Sequence, residues 1–88
     1  MTNGRRDEWE LTKFHGRIGE RIKNIRQSRL CSQKQLSQRS GLSQSQLSRI
    51  EAGERAASLY SLSKIASALR VTPGYLMNSI HSKQSILR

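Results

Sequence analysis

One cysteine, Cys31, in a chain of 88 residues excludes an intrachain disulfide. No apolar run approaches the roughly 20 residues that a membrane span needs, and the first residues contain no signal-peptide core, so a cytoplasmic protein is expected. Strand-like alternation, internal repeats and low-complexity tracts are also missing, which leaves an all-helical chain with room for one small domain. Histidines are too few and too scattered for a metal site: His15 and His81 lie at opposite ends, and Cys31 has no thiol neighbour. Glu51 and Glu54 could mimic an acid/base pair, but they sit at a helix end among arginines. No catalytic residue, metal, cofactor or small-molecule ligand is therefore expected. Acidic residues are scarce as well, with 6 Asp plus Glu against 16 Lys plus Arg, a formal net charge of +10. Such an excess says little about fold. It points to a polyanionic partner (DNA, RNA or an acidic membrane), the plain alternative being a generic solubilising surface.

The most informative pattern is QKQLSQRSGLSQSQLSRIE, from Gln33 to Glu51. Ser32 is followed three residues on by Gln35, and Ser43 by Gln46; a serine cap with glutamine at the third helical position marks a helix N-terminus. Gly41 lies between the two starts and can adopt the positive φ that ends one helix and swings the chain into the next. Two short helices separated by a tight glycine turn make a helix-turn-helix, and in a basic chain that motif most often serves duplex DNA.

The remaining elements follow from periodicity. Ile18, Ile22 and Ile25 form one apolar stripe of an amphipathic helix over 17–29, interleaved with Arg21, Lys23, Arg26 and Arg29. The stripe is too narrow and lacks the aromatics that would favour a membrane-surface helix. Helices over 33–40 and 44–52 follow, the second ended by Gly53. Ser58 caps a fourth helix whose inward stripe reads Leu59, Leu62, Ile65, Ala66 and Leu69. Thr72-Pro73 starts a fifth over 73–80, with Leu76 facing inward. Residues 1–16 read as a polar extension outside the core, in part helical around Trp9 and Phe14. Residues 81–88 read as a polar tail. Cys31 should pack as a small core residue rather than act as a redox sensor.

The phrases IGERIKNIRQSR, SQKQLSQRSGLSQSQLSRIEAGER and SLYSLSKIASALRVTPGYL, in that order and spacing, resemble the Xre/Cro-type helix-turn-helix regulators. The resemblance covers about Ile18 to Met77 and implies the lambda-repressor-like fold, a compact five-helix bundle whose second and third helices read DNA. It implies that Gln33 anchors a backbone phosphate, joined by Arg55 and the loop amides, with Lys34 and Ser43 in the same phosphate-binding set. It also implies that Gln44, Ser45, Ser48 and Arg49 face the major groove, and that Arg26 and Glu51 form a partly buried ion pair. The chain departs from the family pattern at Leu30, where a glycine commonly closes helix 1. It departs again at Cys31 for leucine, Ser37 for alanine, and Ala57 where a proline often precedes helix 4.

The residues themselves support the same base-reading face. With Leu47 and Ile50 buried, steps of about 100° turn Gln44, Ser45, Ser48 and Arg49 outward. Glutamine can pair with an adenine edge and arginine with guanine O6 and N7, whereas serine specifies less. The alternative is that they are simply polar surface. One such domain offers a small footprint, so a homodimer on a palindromic operator is expected, with Leu76, Met77, Ile80, Ile86 and Leu87 as candidate interface residues. The expected function is thus a transcriptional repressor or a controller of restriction–modification genes. The rivals are an antitoxin that also binds a toxin, and a protein-interaction module that uses the basic helix.

Overall fold

The computed structural model describes the backbone of residues 2–78 and the side chains of residues 10–77. Its described part contains five α-helices: α1 Thr2–Ser28, α2 Gln33–Ser40, α3 Gln44–Glu51, α4 Leu59–Leu69 and α5 Pro73–Asn78. All the regular structure described is helical, as expected, and none of these helices is long and apolar enough to cross a membrane.

Serine chemistry places the starts of the three central helices. Ser32 and Gln35 exchange two bonds: the Gln35 N–H donates to Ser32 Oγ at 3.0 Å, and the Ser32 N–H donates to Gln35 Oε1 at 2.9 Å. Ser43 accepts from the Gln46 N–H at 3.0 Å, without the return bond from the Gln46 side chain. Ser58 accepts from the Ser61 N–H at 3.0 Å. Each cap replaces water on an otherwise orphaned donor, worth typically about 1 kcal/mol. Gly41, at φ 81°, ends α2 and sends its N–H to the Ser37 carbonyl at 2.9 Å. The helix-turn-helix therefore forms where its start and stop signals lie.

Thirteen apolar side chains drawn from all five helices and two connecting segments make one core, including Ile22, Leu36, Leu47, Ile65 and Leu76, each with no exposed surface. Cys31 joins that core at 3% exposure. α3 packs mainly on α1 and α2, so the helix that offers the candidate reading face rests on both.

Three expectations change. First, α1 runs unbroken from Thr2, so the boundary expected at residue 16 falls inside a helix. Phe14 is half-buried and packs against the core. Its contact, with helix formers such as Glu10, Leu11 and Lys13 around it, carries the helix past Gly16. The side chain of Trp9 lies outside the described set. Second, Leu59 is 81% exposed, whereas Ser61 is buried. The inward arc of α4 runs from Ser61 through Ile65, Leu69 and Leu62 to Ala66. Leu59 lies about 90° from its centre, beyond the Ala66 edge. Third, Leu76 is wholly committed to the core of its own chain, leaving no side-chain surface for a partner. Met77 is partly buried against the same core. Ile80, Ile86 and Leu87 fall outside the described residues.

Leu30 takes the bend that a glycine would otherwise take. Its φ is 54° and its side chain is 91% exposed. A β-carbon in the left-handed region costs roughly 1–2 kcal/mol and an exposed leucine offsets none of it by burial. Leu30→Gly should therefore raise stability by roughly 0.5–1 kcal/mol in urea unfolding, after allowance for the greater freedom of glycine in the unfolded chain.

Gly19 carries the opposite constraint. A β-carbon there would lie 2.0 Å from the Ile50 carbonyl oxygen and 2.9 Å from that of Glu51, both backbone atoms. Gly19→Ala must push α3 off α1. It should cost about 3 kcal/mol or more, at the top of the overpacking range, and lower the melting midpoint by well over 10 °C.

Candidate nucleic-acid interface

The exposed face of α3 is built by subtraction. Leu47, Ile50 and Glu51 are buried and occupy one side of the helix. Gln44, Ser45, Ser48 and Arg49 are all exposed and lie together across the opposite arc. The four candidate base readers therefore share one continuous polar strip, whose only in-chain duty is to be helical.

The anchoring residues divide. Lys34 near the start of α2, Ser43 at the cap of α3 and Arg55 in the loop after α3 are exposed. The Ser43 oxygen accepts from Gln46, which leaves its hydroxyl proton available to an acceptor. Gln33 is engaged elsewhere as well: it is half-buried, and its Nε2 donates to Glu51 Oε1 at 3.0 Å. Its amide keeps a second N–H. No local pattern announces this bond, because its partner lies 18 residues away.

Glu51 is the junction of the motif. Arg26 Nε donates to Glu51 Oε2 at 2.7 Å and Nη2 to Oε1 at 3.0 Å, a bidentate pair. A third donor, Nη1, reaches the Cys31 carbonyl at 2.8 Å, immediately before the cap of α2. The side chains of Arg26 and Glu51 are only 10% and 4% exposed. The hydrogen-bonded Glu51 carboxylate, and secondarily its charge, holds the Arg26 guanidinium above its ordinary pKa against the opposing effect of burial. Arg26 is accordingly cationic at any working pH. The pair suggested by the family resemblance is present, and Gln33 makes it a three-way lock among α1, α2 and α3.

Sequence reasoning missed the backbone approach beneath this lock. Besides Gly19, Gly53 has φ 77°, and a β-carbon on it would lie 2.9 Å from the Gly16 Cα. The two α1 glycines thus let the C-terminal end of α3 and the following turn settle directly on the α1 backbone. Their i, i+3 spacing was the available signal, since it places two small residues on one helical face. Farther round, the Arg21 guanidinium stacks 4.4 Å from the centre of the Tyr75 ring and clips α5 to α1. Among the described residues no group of three or more His, Cys, Asp or Glu could hold a metal ion.

The family model described as helix-turn-helix (HTH_3) matches residues 22–76. Among solved structures, the restriction-modification controller protein C.AhdI from Aeromonas hydrophila is similar over 70% of this chain and 94% of its own. That match has 34% sequence identity and a TM-score of 0.69. An HTH_3 family transcriptional regulator from Vibrio cholerae is similar over 77% of this chain, with 32% identity and a TM-score of 0.73. This chain spans only 38% of that regulator's length. No curated protein matches the chain.

Removing Arg26 would leave the Glu51 carboxylate buried beside an amide alone. Arg26→Met should cost about 3–5 kcal/mol in urea unfolding. The double variant Arg26→Met/Glu51→Met should regain most of that loss, because no charge is then stranded. A double variant as unstable as the single one would show that the pair is a net stabiliser in its own right.

Proposed function

The chain belongs to the HTH_3 helix-turn-helix family, and on that premise we propose that it is a sequence-specific regulator of transcription that binds duplex DNA as a homodimer on a palindromic operator. The observation that carries this reading is the free polar strip of α3: Gln44, Ser45, Ser48 and Arg49 are exposed side by side while the rest of the helix is buried. In the major groove Arg49 would take guanine O6 and N7, Gln44 an adenine edge, and the two serines weaker, less selective contacts.

The surroundings suit a phosphate backbone. Neither α2 nor α3 has an acidic residue in its first turn, so the positive ends of both helix dipoles are uncompensated. Lys34, Ser43 and Arg55 flank those ends, and the second N–H of Gln33 is available to the same phosphates. Glu51, the one carboxylate on α3, is occupied by Arg26 and Gln33 and adds little repulsion. The net charge of +10 supplies the long-range attraction. The likeness to a restriction-modification controller favours a small regulator of that type, acting by its own concentration and operator affinity. Reading and anchoring are the work of α2 and α3, and catalysis has no part in it.

Selection of bound duplexes from a random pool should return a motif with two-fold symmetry and half-sites about one helical turn apart. If the dimer neutralises roughly 6–10 phosphates, affinity should fall by about 10³–10⁵ between 50 and 200 mM salt. Arg49→Ala should relax preference at one guanine, at a cost of about 1–3 kcal/mol. Lys34→Ala should instead weaken all sequences alike and reduce the salt slope by about one. If both variants lost affinity uniformly, the division between reading and anchoring would be wrong.

A further inference from the structure

Leu59 and Tyr60 are 81% and 67% exposed at the start of α4, just beyond the loop that follows the reading helix. They are neighbours in sequence and the largest pair of adjacent exposed apolar side chains among the described residues. Their setting is electrically distinctive. From Ala56 to Ser63 no residue carries a charge, although the chain as a whole carries +10. The stretch is bounded by Arg55 and Lys64, and Lys64 turns its ammonium over the Tyr60 ring, 5.4 Å from the centroid. The aliphatic and aromatic surface is thus framed by cations without being interrupted by one.

We propose that Leu59 and Tyr60 form a small two-fold contact with a second copy of this chain, made when two copies occupy adjacent half-sites of one operator. The inference rests on the DNA-binding reading above and assigns the surface through which its two copies meet. A second copy fits this patch for three reasons. Two molecules of like charge meet with least repulsion where neither presents a charge. A patch used by both partners must be self-complementary, and a leucine beside an aromatic ring can pack on its own symmetry mate. The patch also follows Arg55, so copies anchored by that loop on neighbouring phosphates would bring their α4 ends towards each other.

The size of the patch decides when the contact forms. Leu59 and Tyr60 together offer on the order of 300 Å² per copy, whereas a stable interface buries about 800 Å² per partner. Through this surface alone, free chains would meet only weakly. DNA holds two copies at a high effective concentration, and there a small apolar contact becomes decisive. The contact therefore appears as cooperativity between half-sites. This differs from the helix-5 interface expected from the sequence, where Leu76 is consumed by the core.

The test compares two probes: the duplex selected from the random pool, and the same duplex with one half scrambled. Leu59→Gln/Tyr60→Gln should bind the scrambled duplex within about twofold of the unaltered chain and lose at least about fivefold on the intact duplex, the low end of typical site–site coupling. Its binding curve should fall to a Hill coefficient near one. Glutamine is a good helix former and both positions are exposed, so an unchanged melting curve should accompany the variant. Independently, Leu59→Cys treated with a short bis-maleimide should give a covalent dimer on the intact duplex, whereas the unaltered chain, whose Cys31 is buried, should not.

Cooperative binding by the double variant equal to that of the unaltered chain would overturn this inference alone. So would a failure of the cysteine variant to cross-link while it binds the intact duplex. An unaltered chain that prefers no duplex, or a selected motif without symmetry, would overturn the reading beneath it and this inference together.

Discussion

A single carboxylate holds the reading unit together. Glu51 stands at the C-terminal end of α3, where the helix dipole disfavours a negative charge, and it is buried. Both penalties are offset by the fork of Arg26 and the amide of Gln33. Because those partners come from α1 and α2, meeting the needs of one charge sets the relative placement of all three helices. The third Arg26 donor, on the Cys31 carbonyl, extends that control to the start of α2. Apolar burial supplies most of the stability of such a domain, but it is non-directional. The ion pair contributes the direction.

Sequence showed most where the physical signal is local. Ser32, Ser43 and Ser58 act within three residues of themselves, Gly41 acts at its own φ, and isoleucines at helical spacing declare a buried stripe without a partner. From these, the helix-turn-helix and its outward strip could be read directly. What stayed hidden depends on distant neighbours. Gln33 reads as a surface anchor until Glu51, far along the chain, appears beside it. Leu59 fits the spacing of an inward stripe, but which arc of α4 is covered depends on where the rest of the bundle lies. Leu76 could serve a core or an interface by its chemistry alone, and only packing separates the two. Gly19 was in plain sight, yet its meaning comes from the carbonyls of Ile50 and Glu51 pressed against it.

The helix that precedes the family match shares in positioning the site. The match begins at residue 22, whereas Gly16 and Gly19 lie before it and receive the end of α3 and the turn at Gly53. The exposed loop bearing Arg55 leaves from that turn. Close backbone packing and the Arg26 lock therefore act on the same end of α3 from two sides. Phe14, seated against the core one turn before Ile18, helps to keep this part of α1 in place.

At eight residues each, α2 and α3 are too short to persist as isolated helices in water, and they exist because the bundle supports them. That dependence runs one way. Gln44, Ser45, Ser48 and Arg49 contribute nothing to the core, so replacing them leaves the scaffold nearly indifferent. Drift among these four codons can retarget the molecule while its architecture stands still, whereas a change at Gly19 or Arg26 is penalised before any new target is tried. Duplicated genes of this type can therefore diverge in what they recognise long before they diverge in shape.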